Sequence, residues 1–126
     1  PFQNTKKVIL QVALRVKAGN QAEIKEKTEH FVKDREEKGH FKFPSAGSVF
    51  KRPPGHFAGK LIQDSLLQGK GVGGAEVSTK HAGFIVNKNN ATATDYIQTI
   101  QMVQRVVKET FDIELEMEVK IVGEDE

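Results

Sequence analysis

The sequence predicts an α+β fold in a single domain, with three helices and a small mixed or antiparallel sheet. Three observations lead there. Apolar residues alternate with polar ones near both ends of the chain, which is strand periodicity. Two stretches repeat apolar residues at helical spacing behind recognisable caps. Between them lie short β-type runs bounded by Gly and Pro, in an order that fits no regular alternation of strand and helix. At 126 residues the chain supports one hydrophobic core.

Lys7–Val16 places Val8, Leu10, Val12, Leu14 and Val16 on one face, predicting a strand that Ala18-Gly19 ends. Asn20 then reads as a helix N-cap with Glu23 in capping-box position. Ile24, Thr28, Phe31, Val32 and Arg35 form a thin stripe, so this helix lies on a surface until Gly39 stops it. Pro44, Pro53 and Pro54 forbid a long helix over the next segment, which leaves room for a short strand at Ser48–Lys51. Phe57–Gln68 reads as the second helix, with Phe57, Leu61, Ile62 and Leu66 inward and Gly69 as terminator. Short strands follow at Ala75–Ser78 and Gly83–Asn87. The clearest helix is Ala93–Phe111. Thr92 caps it, Asp95 stands three residues on, and Tyr96, Ile97, Ile100, Val103, Val107 and Phe111 form its stripe. Glu114–Val122 alternates again, with Leu115, Met117, Val119 and Ile121 opposite Glu114, Glu116, Glu118 and Lys120. An acidic tail, Glu124-Asp125-Glu126, is expected to fray.

Composition removes whole classes of function. Without Cys there are no disulfides, thiolate metal sites, iron–sulfur clusters or Cys nucleophiles. Lys and Arg number 19 against 17 acids, and a net charge of +2 does not point to nucleic acid. No apolar run approaches the roughly 18–20 residues of a membrane span, and no signal peptide is recognisable. The chain opens at Pro1 and enters its first predicted strand almost at once, which fits either a trimmed terminus or a piece of a longer protein.

Local motifs sort quickly. Gly69-Lys70-Gly71-Val72-Gly73-Gly74 matches GxGxxG, but a helix precedes it and a strand follows, the reverse of the dinucleotide-binding context. It reads as a flexible turn whose amides a phosphate could approach. Ser48-Val49-Phe50-Lys51 matches SxxK, yet Pro53-Pro54 denies the helix that acyl transfer needs. His30, His40, His56 and His81 show no metal spacing. Two features remain. Ser45-Ala46-Gly47-Ser48 is a small-residue loop followed by Lys51 and Arg52, where hydroxyls and cations suit a phosphate or a solvated turn equally. Glu118 sits on the polar face of the last strand and, by the residues alone, reads as exposed.

Taken together, Pro44–Asn87 (PSAGSVFKRPPGHFAGKLIQDSLLQGKGVGGAEVSTKHAGFIVN) is more specific than its parts. Its ordered blocks SAGSVFK, AGKLI and GGAEVSTKHAGFIVN, with the terminal E-x-E-V, closely resemble the C-terminal domain of the UDP-N-acetylenolpyruvoylglucosamine reductases of peptidoglycan synthesis. The resemblance covers Pro44–Gly123 and extends more loosely over residues 7–43.

The resemblance implies a cytoplasmic flavoprotein in which NADPH reduces FAD. The flavin then passes hydride to the enolpyruvyl double bond of UDP-N-acetylglucosamine enolpyruvate, giving UDP-N-acetylmuramate for cell-wall growth. It implies Ser48 as proton donor and Glu118 as the catalytic glutamate. Lys51, Arg52 and Lys60 would supply charge for the diphosphate, and His81 a polar contact to the nucleotide. Arg52 stands where many relatives carry Asn. The family's FAD-binding domain precedes this region, and residues 1–43 hold none of its flavin loops. The chain is therefore expected not to bind FAD in the family's way and not to turn over alone. Its strands at 1–17 and 114–126 are expected to contact that domain. The expected partners are the substrate and the FAD-binding part of the enzyme, with neither nucleic acid nor membrane. The rival readings are a stand-alone nucleotide-sugar binding module without catalysis and a purely structural domain.

Overall fold

The structure, a computed structural model, describes residues 8–37 and 42–123. In chain order it contains α1 (Gln21–Glu37), β1 (Ser45–Ser48), α2 (Ala58–Asp64), β2 (Gly71–Val72), β3 (Ala75–Val77), β4 (Phe84–Asn87) and α3 (Ala93–Phe111). The four strands make one antiparallel sheet in the order β1-β4-β3-β2. With three helices this is the α+β domain expected. Helix α3 packs against β2, β3 and β4, and α2 packs against α3. The core between them includes Val49, Leu61, Ile62, Val77, Ile85, Ile100, Val103 and Val107. The last three aliphatic side chains named are completely or almost completely buried, and each contributes about 1.5–3 kcal/mol relative to exposure.

Helix α3 matches its expected bounds because both ends are specified locally. Thr92 Oγ1 accepts from Asp95 N at 3.1 Å, and Asp95 Oδ2 accepts from Thr92 N at 3.0 Å, a closed capping box. At the other end Asp112 takes φ 57° and its N–H donates to the Lys108 carbonyl at 2.9 Å. Helix α1 starts where expected, with Asn20 Oδ1 accepting from Ala22 N at 2.9 Å. It buries no residue. Its expected stop, Gly39, lies outside the described residues, as do Lys7 and the acidic tail.

Several boundaries differ from expectation. Residues 8–20 form no strand, and Val8, Leu10, Val12, Leu14 and Val16 are all exposed. Alternation defines two faces, but a strand also needs a neighbour to accept its ladder, and none is present among the described residues. Over 114–122 the expected strand is reduced to one bridge, Phe50 to Met117. Leu115 is buried there, while Ile121 and Val122 are exposed. The strand placed at Ser48–Lys51 instead occupies Ser45–Ser48, pairing Ser45 with Val86 and Ser48 with Phe84 around an irregular register. Helix α2 is shorter than Phe57–Gln68. Ser65 Oγ donates back to the Leu61 carbonyl at 2.8 Å, Leu66 turns to φ 55°, and the reversal carries Leu67 into the core while Leu66 stays in solvent.

The glycine run is not a flexible turn but a tight β2–β3 hairpin. A Cβ on Gly71 would stand 1.9 Å from the Ala75 carbonyl oxygen, and one on Gly74 would stand 2.1 Å from that of Asn89. Gly71 and Gly74 are required by close backbone approach. No helix among the described residues is long and apolar enough to cross a membrane.

Candidate functional site

The site is organised by one buried residue. Val49 follows β1 and is wholly buried, so alternation sends the Ser48 side chain to the opposite face. The Val49 N–H donates to the Gly83 carbonyl at 3.0 Å. Its carbonyl accepts from Glu118 N at 2.8 Å and from Val119 N at 3.4 Å. Two residues on, Lys51 N donates to the Glu116 carbonyl at 2.9 Å. These bonds lash the C-terminal segment to the end of β1 and bring Glu118 beside Ser48.

Ser48 and Glu118 line a cleft of about 390 Å³ with Arg52, Phe57, Gly59, His81 and Gly83 among its walls. Both also border a neighbouring hollow of about 320 Å³. Among the described residues neither the Ser48 hydroxyl nor the Glu118 carboxylate has a side-chain hydrogen-bond partner, so both are available to a ligand. Arg52 is held in place. Its Nε donates to the His56 carbonyl at 3.2 Å, and its guanidinium carbon stands 3.9 Å from the Phe57 ring centroid. His81 Nδ1 accepts from Gly83 N at 3.2 Å, so the neutral ring carries its proton on Nε2. The same imidazole packs on Phe84, with ring centroids 4.4 Å apart. The turn behind it is tied by Ser78 Oγ, which accepts from Lys80 N and His81 N, each at 3.2 Å.

Of the six residues singled out in the sequence, the structure therefore groups Ser48, Arg52, His81 and Glu118 around one cleft. Lys51 and Lys60 lie outside its lining. Lys51 is paired with Glu116 and Lys60 with Asp64. Sequence reasoning missed Phe57, which it assigned to the core. The residue is 61% exposed at the cleft. Its place directly after Pro53-Pro54-Gly55-His56 was the available signal, because a residue at the mouth of a helix need not obey the helix's stripe. Gly59 and Gly83 were also missed. They face each other closely, a Cβ on Gly59 meeting the Gly83 nitrogen at 3.4 Å.

Four of the six amides of the glycine run are bonded within the domain. Val72 N donates to Thr99 Oγ1 at 3.0 Å and Gly74 N to Asp95 Oδ2 at 3.3 Å, while Gly69 N and Lys70 N donate to the Val77 and Leu67 carbonyls. The described residues thus spend these four amides internally and do not hold them open to a phosphate. Nor do they gather three or more His, Asp or Glu side chains placed to hold a metal.

Comparisons with known proteins agree with the blocks quoted above. A protein-family model described as UDP-N-acetylenolpyruvoylglucosamine reductase, C-terminal domain, matches residues 35–122. The chain is 62% identical over 124 residues to the UDP-N-acetylenolpyruvoylglucosamine reductase of Geobacillus kaustophilus, an alignment covering 98% of this chain and 41% of that protein. The protein of the same name from Oceanobacillus iheyensis is 58% identical over 118 residues, covering 94% of this chain and 38% of its own length. Among solved structures, the UDP-N-acetylenolpyruvylglucosamine reductase (MurB) of Thermus caldophilus superposes with a TM-score of 0.63 at 38% identity. That match covers 82% of this chain and 37% of that one. The chain thus spans about two-fifths of the length of the curated relatives it matches.

Proposed function

The chain belongs to the UDP-N-acetylenolpyruvoylglucosamine reductase C-terminal domain family, and on that premise we propose that it is the substrate-facing part of an oxidoreductase of peptidoglycan synthesis. The reaction is reduction of UDP-N-acetylglucosamine enolpyruvate to UDP-N-acetylmuramate. FAD, and the NADPH that reduces it, belong to the part of the longer enzyme outside this chain. The exposed apolar residues of 8–16 and the end of the 114–123 segment are where that part would pack. The same reading makes the enzyme cytoplasmic.

One observation supports this reading above the others. The Ser48 hydroxyl and the Glu118 carboxylate, both without partners among the described residues, share a cleft with a positioned arginine. Saturating an enolpyruvyl double bond requires a hydride on one carbon and a proton on the other. The hydride comes from outside this chain. Its arrival leaves the electron pair of the double bond on the carbon beside the substrate carboxylate. That carbanion is basic enough to take the proton of the Ser48 hydroxyl when held within hydrogen-bond reach. Arg52 then eases the negative charge left on the serine oxygen. Glu118, on the same wall, stabilises the enol form of the intermediate or returns a proton to Ser48. Arg52 and His81 suit the diphosphate and nucleotide of the substrate. For Lys51 or Lys60 to reach the diphosphate, each would have to leave its acid partner.

The test is Ser48→Ala in the complete enzyme, followed anaerobically by flavin absorbance. Flavin reduction by NADPH is expected to stay near the wild-type rate. Reoxidation by the enolpyruvyl substrate is expected to slow by about 10²–10⁴-fold, the contribution of a positioned proton donor. Equal losses in both half-reactions would remove Ser48 from the proton-donor role. Unchanged UDP-sugar binding with no effect of Ser48→Ala on either half-reaction would leave a binding module.

A further inference from the structure

Phe57 is the residue the fold explains least. It is 61% exposed, so its ring gives the core little. One face is nonetheless covered, by the Arg52 guanidinium at 3.9 Å. Arg52 is gripped at a second point, where its Nε–H donates to the His56 carbonyl. That carbonyl belongs to a braced turn. His56 N donates to the Pro53 carbonyl at 3.1 Å, and Pro53 is buried. A contact to the face of a planar group and a bond to its Nε–H together determine its plane. The terminal amino groups of the same guanidinium make no hydrogen bond among the described residues. The cleft therefore holds a cation whose orientation is set while its outer edge is unspent. Lys51 and Lys60 nearby have each given their charge to an acid.

We propose that Phe57 is a positioning residue: its ring sets the plane of the Arg52 guanidinium so that the terminal amino groups meet the diphosphate of a nucleotide-sugar. The proposal rests on the reading that this cleft takes such a ligand. Its physical basis is preorganisation. A guanidinium matches two phosphate oxygens at once only when its plane is right. An unrestrained arginine has several rotatable bonds to immobilise on binding, whereas one already stacked has lost that freedom in the folded protein. A phenyl ring suits the task because it restrains the cation without competing for it. A carboxylate in the same place would neutralise it, as Glu116 and Asp64 do for the two lysines.

The test uses the full chain, UDP-N-acetylglucosamine as the probe, and a double-mutant cycle. Phe57→Leu is expected to weaken affinity about three- to tenfold, the effect of freeing one rotamer-rich side chain. Phe57→Tyr is expected to bind like wild type, since a tyrosine ring stacks equally well. In the Arg52→Lys background, Phe57→Leu is expected to change affinity by less than about twofold, because a lysine has no plane to hold. Nitrogen relaxation at Arg52 Nε is expected to report a rigid group in the wild type and a mobile one in Phe57→Leu. Melting temperature is expected to be unchanged in Phe57→Leu.

Equal loss from Phe57→Leu in both backgrounds would mean that the ring touches the ligand itself, and the positioning role would be overturned. A drop in melting temperature alongside the lost affinity, without rescue by tyrosine, would overturn it in favour of a structural role. Wild-type affinity in Phe57→Leu would overturn it while leaving the nucleotide-sugar reading intact. If the probe shifts no resonance of the wild-type chain, the nucleotide-sugar reading falls, and the proposal with it.

Discussion

Thr99 shows how much one hydroxyl can join. It is completely buried, donates to the Asp95 carbonyl at 2.8 Å and accepts from Val72 N at 3.0 Å. It thereby ties the β2–β3 hairpin to the first turns of α3. Thr99→Val keeps the shape and removes the acceptor, leaving the Val72 N–H unpaired. We expect a loss of about 1–3 kcal/mol, seen as a lower urea midpoint at unchanged slope. Asp95 works beside it. Backbone N–H donation from Thr92, then from Gly74, holds its carboxyl below the ordinary value of 3.8. A carboxylate with a lowered folded pKa stabilises fully above its unfolded value, and the contribution disappears as pH falls through the folded one. Urea midpoints of the wild type should therefore fall below about pH 4. The fall should be shallower in Asp95→Asn, which keeps an acceptor but cannot titrate. An identical fall in both would assign the acid sensitivity to other groups, Asp112 beside Lys108 first among them. At this scale the sequence was uneven. The Thr92–Asp95 cap was readable because capping depends on residues three apart. Thr99 was passed over because a threonine on a helix carries no mark of what lies across from it. The Ser45–Ser48 loop and Glu118 were noticed from the residues, but only the resemblance to a family gave Ser48 and Glu118 catalytic roles, since each alone fits an ordinary exposed surface.

The β2–β3 hairpin is the element most sensitive to a single atom. We expect Gly71→Ala to be strongly destabilising, because its Cβ would meet the Ala75 carbonyl carbon and oxygen and the Glu76 Cα, all backbone, within 2.8 Å. The loss should exceed the roughly 1 kcal/mol typical of a point change, and thermal melting reads it directly. A melting temperature equal to wild type would show that the hairpin shifts at little cost. The run's spacing suggested a phosphate loop, and its context argued against one. What could not be read was that Gly71 and Val72 form a strand within the run. Strand recognition relies on β-branched and aromatic residues, and close backbone approach leaves no trace in composition. The terminal strands erred in the opposite direction. Alternation was strong at both ends, but pairing is a property of the neighbour, so 8–16 found no ladder and 114–122 found a single bridge.

For the whole molecule, packing density divides the chain unevenly. Helix α3 supplies fully buried Ile100, Val103 and Val107, whereas α1 buries nothing and relies on its cap and on exposed i,i+4 pairs such as Lys25–Glu29. A helix of that length without tertiary support is marginal in water. Native-state hydrogen exchange should therefore show α1 amides exchanging through local fraying and those of Ile100, Val103 and Val107 only through global opening. Comparable protection in both helices would show that α1 is covered. The helical pattern of α1 was legible in the sequence, but that it buries no residue was not. A thin apolar stripe signals a surface without saying whether anything lies on it. The Val49 carbonyl, which receives both Glu118 N and Val119 N, carries a different consequence. The two reactive candidates lie 70 positions apart in the chain, yet one peptide group joins them. Any chemistry the two would perform together thus depends on a closed loop and on neither of its ends alone. A protease that nicks the chain anywhere between them, or a rearranged gene that moves one end, separates the two side chains unless the halves find each other again.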